Sequence, residues 1–136
     1  MIFFRSKDPM TKWRQKYEAM AELADRTGWR IDLDLEIVST VIAETPVVVI
    51  LAPPMRMGPS APATSVIIEA GRQAEATLAG RIGDVVGGAE YTVNGWHGLA
   101  EADNGLIDGN FSGPHSELVD AVVAAVYDLV GRVRSA

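Results

Sequence analysis

Apolar residues recur along this chain with two different periods, and each change of period marks an element. Over residues 9–27, Trp13, Tyr17, Met20 and Ala24 return at spacings of three and four, the stripe of an amphipathic helix, and Gly28 supplies the stop. From Trp29 the period falls to two. Ile31, Leu33, Leu35 and Ile37 alternate with Asp32, Asp34 and Glu36, which predicts one half-buried strand with an acidic wet face. The stretch 38–44 fits either a continued strand or a short helix. Val47 to Leu51 is an unbroken apolar run and predicts a central strand buried on both faces. Residues 53–62 carry four prolines, which cannot donate to a sheet ladder, so they predict an extended surface loop leading to a strand over Thr64–Glu69. Ala74, Leu78 and Ile82 then predict a middle helix over about 71–83, and Gly87-Gly88 closes that segment.

The pattern over 89–112 predicts a three-stranded meander. Asn94-Gly95 and Asn104-Gly105 suit two-residue type I′ turns, which need positive φ at both central positions. Two such turns set Val93 against Trp96, Tyr91 against Gly98, Ala102 against Ile107 and Gly98 against Phe111. One face (Ala89, Tyr91, Val93, Trp96, Gly98, Ala100, Ala102, Ile107, Gly109, Phe111) is then wholly apolar or glycine, with Tyr91 and Phe111 flanking the bare backbone of Gly98. The last helix is expected from about Pro114 to about Val133. Its apolar residues, including Leu118, Val119, Val122, Val123, Val126 and Leu129, span an arc of roughly 200°, where one sheet needs only about 100°. Valine-rich helices rely on tertiary contacts, so a second subunit is expected over the far side.

Together these elements give an α+β fold: an antiparallel sheet of five to six strands packed by an N-terminal, a middle and a C-terminal helix. The order is α-β-β-β-α-β-β-β-α, with a basic N-terminal arm over 1–8 and a single domain over 9–136. Element order alone resembles two small folds: the roadblock/light-chain fold of dynein-associated and GTPase-regulating proteins, and the secretion-chaperone-like fold. Roadblock-like domains have one fewer strand before the middle helix than this reading, and secretion chaperones one fewer after it. The resemblance implies a dimeric protein that binds other proteins; it carries no family residue onto this chain.

Charge divides the chain unevenly. Lys7, Lys12, Lys16, Arg5 and Arg14 oppose only Asp8 in the first sixteen residues, a formal +4, while seven arginines face seventeen acids in the remainder, a formal −10. An isoelectric point near 4.8 disfavours duplex nucleic acid as the main partner, since the net field repels phosphate. Within the first helix the bases come early and Glu18, Glu22 and Asp25 late, against the helix dipole, which fits either a solvated face that bears this cost or a basic turn that faces a partner offsetting it. The acidic row at 32–36 complements the basic residues, within one molecule or between two. The candidate partner-binding residues are therefore Arg5, Lys7, Lys12, Arg14 and Lys16, the loop residues Met55, Arg56 and Met57, and Val119 and Val123 on the last helix.

Candidate chemistry is sparse. The absence of cysteine excludes disulfides, thiolate ligands and thiol nucleophiles and fits a reducing compartment. Met1 to Arg5 is too short an apolar start for a signal peptide, and Val38–Met57 is interrupted by Glu44, prolines and Arg56, so no membrane span and a cytoplasmic location are expected. There is no G-x-S-x-G elbow and no Walker-type phosphate loop. His97 and His115 have no ligand partner at helical spacing, so no metal site is expected. Glu101 and Asp108, opposed across strands with Asp103 and His97 on the same face, are the one arrangement suited to a weak cation or proton exchange. The leading expectation is a non-enzymatic protein-binding module acting as a homo-oligomer: an adaptor, chaperone or assembly subunit, with no cofactor. The alternatives are a small-molecule- or cation-binding enzyme using the polar face of 89–112, and a structural component of a phage or secretion assembly.

Overall fold

The computed structural model describes residues 8–52, 63–80, 89–90, 96–101, 105–112 and 115–135. The expected 53–62 loop, the Asn94-Gly95 turn and Ile82 lie outside these residues. The described elements are α1 (Pro9–Lys16), α2 (Glu18–Thr27), β1 (Arg30–Asp32), β2 (Ile37–Ile42), β3 (Thr45–Leu51), β4 (Ala63–Ala70), α3 (Arg72–Leu78), β5 (Ala89–Glu90), β6 (Trp96–Glu101), β7 (Leu106–Ser112) and α4 (His115–Ser135). The class is α+β with an antiparallel sheet, as expected, but four strands and not two or three precede the middle helix. That weakens the likeness in element order to both small folds.

The expected helix over 9–27 is two helices. Asp8 caps α1, its carboxylate accepting from the Thr11 backbone N–H at 2.8 Å and the Thr11 hydroxyl at 2.9 Å, and Pro9 follows where its missing donor costs nothing. Tyr17 then leaves helical geometry at φ −115°, ψ 61°. The break resolves the charge order. Arg14 and Lys16 occupy the last turn of α1, Glu18 the first turn of α2, and Arg26 the last, each beside the dipole end it complements. Asp25, an acid on the wrong end, is held by the Arg14 guanidinium. Gly28 closes α2 at φ 76°, the expected left-handed stop.

The alternation from Ile31 to Ile37 is a hairpin and not one strand. β1 ends at Asp32, whose carboxylate accepts from the Leu35 backbone N–H at 3.0 Å, and the turn over 33–36 closes with Glu36 at φ 56°. The strand reading of 38–42 holds, since β2 runs to Ile42. Ile42 then stands opposite Thr45 across a two-residue turn made by Ala43 and Glu44, at φ 49° and 66°. Two successive positive φ values are the signature of a type I′ turn, made here without the usual Asn or Gly. Arg134 near the end of α4 donates to the Ala43 carbonyl and helps hold it.

The described strands form one seven-stranded sheet in the order β1-β2-β3-β4-β7-β6-β5, every neighbouring pair antiparallel. Two meanders, β1 to β4 and β5 to β7, are joined by β4 on β7, registered from Ala63 opposite Ser112 to Glu69 opposite Leu106. β3 is the buried central strand predicted, with Val47, Val48, Val49 and Leu51 all at 0% exposure. One face carries the main core: Val38, Val49, Ile68 and Ile107 align across four strands beneath α2 and α4. The other face is covered by α3, where Ala74 packs with Ile37 and Val48.

The apolar arc of α4 is covered within the chain. Its sheet side rests on β3, β4 and β7, and α2 lies along its flank. Leu118, Val119, Val122, Ala125, Val126, Leu129 and Val130 are all buried there. Two layers of neighbours within the chain account for its width. Of the two valines expected to meet a partner, Val119 is 1% exposed and Val123 packs half-buried against the same core.

In the meander, the β5–β6 register is the expected one, with Ala89 opposite Ala100. The β6–β7 register differs by two residues: Ala100 and not Ala102 faces Ile107, Gly98 faces Gly109, and Trp96 faces Phe111. A shift of two preserves which residues share a face, so the face assignment survives while the pairing does not. The reason lies at Gly105. At φ 82° its carbonyl accepts from the Ala70 backbone N–H at 2.8 Å, adding a rung to the β4–β7 ladder. That pairing to β4 commits Gly105 to the strand side of the connection; Asn104 lies outside the described residues.

Two variants, one single and one double, test these backbone constraints. A Cβ at Gly105 would stand 2.2 Å from the Ala70 carbonyl oxygen, so Gly105→Ala should destabilise the fold by roughly 2–4 kcal/mol in urea unfolding. Conversely, Ala43→Asn with Glu44→Gly places turn formers where φ is already positive. A gain of about 1 kcal/mol is expected, and a loss in thermal unfolding would refute the type I′ assignment.

Candidate functional site

A cleft of about 280 Å³ opens between α1 and the β1–β2 turn. From the helix side it is lined by Pro9, Lys12, Trp13, Lys16 and Tyr17, and from the turn by Leu33 and Glu36. The helical repeat explains the first set: Pro9, Trp13 and Tyr17 are four apart, as are Lys12 and Lys16, so α1 presents one apolar and one cationic row side by side. The Trp13 and Tyr17 rings meet at 5.4 Å between centroids with a 41° tilt, a contact worth about 0.5–1.5 kcal/mol beyond area. The Lys16 ammonium lies 5.1 Å from the Tyr17 ring centroid, on the negative face of the ring. The Tyr17 hydroxyl donates to a Glu36 carboxylate oxygen at 2.9 Å, bracing the turn against the helix junction.

Two basic residues of α1 and one residue of the acidic row thus border the same cleft, while residues 1–7 of the basic arm lie outside the described residues. Lys12 and Lys16 share the cleft with Glu36, yet neither lysine makes an ion pair among the described residues. Arg14 turns away. Both of its terminal nitrogens bond Asp25, which raises the guanidinium pKa further and holds the Asp25 carboxyl below its usual range. Of the partner-binding candidates, then, Lys12 and Lys16 lie at the cleft, Arg14 is engaged on α2, Val119 is buried and Val123 is half-buried. Arg5, Lys7, Met55, Arg56 and Met57 lie outside the described residues.

The opposed carboxylate pair does not form. Glu101 stands across from Leu106, and Asp108 across from Leu99, so the two acids are diagonal and not directly opposite. Asp103 lies outside the described residues. Among the described residues no group of three or more His, Asp or Glu side chains is placed to hold a metal ion.

Glu69 was not singled out by sequence pattern. It sits in β4 between Val48 of β3 and Leu106 of β7, only 8% exposed, and accepts from the Thr77 hydroxyl of α3 at 2.6 Å. Loss of water raises its carboxyl pKa, and the Thr77 bond opposes that rise in part. The only sequence signal was an acid directly after the apolar run Val66–Ile68 of that strand. The cleft was equally hidden: Trp13, Tyr17 and Leu33 read as core positions, and the reversal of charge around Tyr17 was the clue to the helix break that shapes it.

Comparisons with known protein families, with curated proteins and with solved structures find no match to this chain. Among the described residues, no helix is long and apolar enough to cross a membrane.

The raised Glu69 pKa fixes the sign of a pH effect. Above its usual 4.5 the carboxyl is ionised in the unfolded chain but still binds its proton in the fold. Its contribution to stability therefore falls as pH rises from there through the raised value. Glu69→Gln keeps an acceptor for Thr77 without the charge. The variant should match wild type near pH 4 and melt higher than it by pH 7; an equal difference at both would show that Glu69 does not titrate this way.

Proposed function

We propose that this chain is a non-enzymatic protein-binding module, an adaptor, chaperone or assembly subunit. Its α1 cleft receives a partner segment in which an acidic residue stands beside an apolar one. The observation that carries this is the pairing of two rows on one short helix. Lys12 and Lys16 give cationic points, while Pro9, Trp13, Tyr17 and Leu33 give an apolar bed. Trp13, only 6% exposed, belongs to the core and forms the rigid floor of the cleft, so the partner's apolar contact falls mainly on Tyr17, Leu33 and the edge of that ring.

The cleft's form supports recognition over chemistry. It is a shallow groove open to water, and a water-filled site gains little from the charge preorganisation that catalysis exploits. Its single carboxylate, Glu36, is already bonded by Tyr17. An extended peptide would lay apolar side chains on Tyr17 and Leu33 while its carboxylates reach the two ammonium groups, which steer its approach and fix its direction.

A capped peptide of alternating aspartate and leucine is the probe, with a lysine–leucine peptide as control. Titrated into the isotopically labelled chain, the acidic peptide should move the amide signals of Lys12, Trp13 and Lys16. Lys12→Ala with Lys16→Ala should weaken that binding at least about tenfold, or 1.4 kcal/mol. Equal binding of the lysine–leucine control, or no movement at millimolar peptide, would refute the reading.

A further inference from the structure

We infer that the occupant of the α1 cleft is the β1–β2 turn of a second copy, so that two copies dimerise through a single two-fold interface. The inference rests on the protein-binding reading of the cleft and names its partner. Asp34 and Leu35 are the central residues of that turn, and both are exposed. Leu35 is among the few large apolar side chains left in water, at 36% exposure, and it is flanked by Asp34 and Glu36. An apolar residue between acids is the chemistry that the lysine-rimmed, aromatic-floored cleft accepts.

The two complementary halves stand side by side. Leu33 and Glu36, the outer residues of the turn, line the cleft of their own chain, so the turn's centre lies immediately next to it. A two-fold rotation about an axis between them brings each turn over the other's cleft. In such an interface residue i meets residue j while j meets i, so one favourable contact is made twice. Charge agrees. Neither Lys12 nor Asp34 makes an ion pair among the described residues, and the rotation sets the Lys12 of each copy near the Asp34 of its mate. The other intermolecular candidate, the basic leader of a neighbouring copy, would meet two lysines and be repelled.

The turn is also built to hold its shape when it docks. Asp32 accepts from the Leu35 N–H, and Tyr17 fixes Glu36 at its left-handed φ of 56°. Little ordering cost is then left to be met on association.

Sedimentation equilibrium of the full chain tests this. A dimer is expected whose dissociation constant rises as salt goes from about 0.05 to 0.5 M and the screening length shrinks. Lys12→Asp alone and Asp34→Lys alone should each raise that constant at least about tenfold. The double exchange should bring it back towards wild type, a recovery that damage to folding could not produce. Leu35→Ser should weaken association at any salt. A monomer at all concentrations, or a dimer indifferent to these changes, overturns the inference. If that monomer still binds the aspartate–leucine peptide, the cleft serves another protein; if it binds neither, both readings fall.

Discussion

The pairing of β4 with β7 is the joint on which the rest of the structure depends. Within each meander consecutive strands pair with one another, but the sheet becomes continuous only where Ala63–Ala70 lies against Leu106–Ser112. The apolar row Val49, Ile68, Ile107 crosses that joint, and α4 rests on β3, β4 and β7 together. α4 therefore has a floor only once the joint is made, and the joint has a dry face only once α4 covers it. Because the chain between Ala70 and Gly105 must be closed first, this mutual dependence makes the fold cooperative. Val133 seals the end, its methyls standing 3.2 Å and 3.4 Å from where a Cβ on Gly71 and on Gly105 would lie.

That joint also explains where the cleft sits. α4 occupies the middle of the main face, so α2 is left with β1, β2 and β3 on one side and α4 on the other. α1 packs chiefly on α2 and lies furthest from the sheet centre, with its outer row uncovered. The break at Tyr17 lets α1 swing to meet the β1–β2 turn, and the Tyr17–Glu36 bond fixes the meeting. The cleft is the gap left between a helix pair and a hairpin that touch at one braced point.

The opposite face has different constraints. α3 is short and shields little beyond Ile37, Val48 and Ala74, yet the same cover takes Glu69 out of water. A carboxylate beside an apolar strand row costs stability that Thr77 returns only in part. We find no structural gain that requires an acid there.

Sequence pattern by itself determined the class, the buried centre at Val47–Leu51, the cap at Gly28, the extent of α4 and which of the described meander residues share a face. All of these follow from local periodicity or from a residue's own backbone preference, which neighbours far along the chain do not alter. Strict alternation from Ile31 to Ile37 misled, because a period of two is equally served by a strand and by two strand ends around a turn whose acids cap it. Tertiary structure decided the rest. The β6–β7 register was settled by the Gly105 contact with Ala70, the cover over Val119 by α2, and the cleft by Tyr17 reaching Glu36. Each is a meeting of residues remote in sequence, and a linear pattern carries no term for where two such residues come to rest.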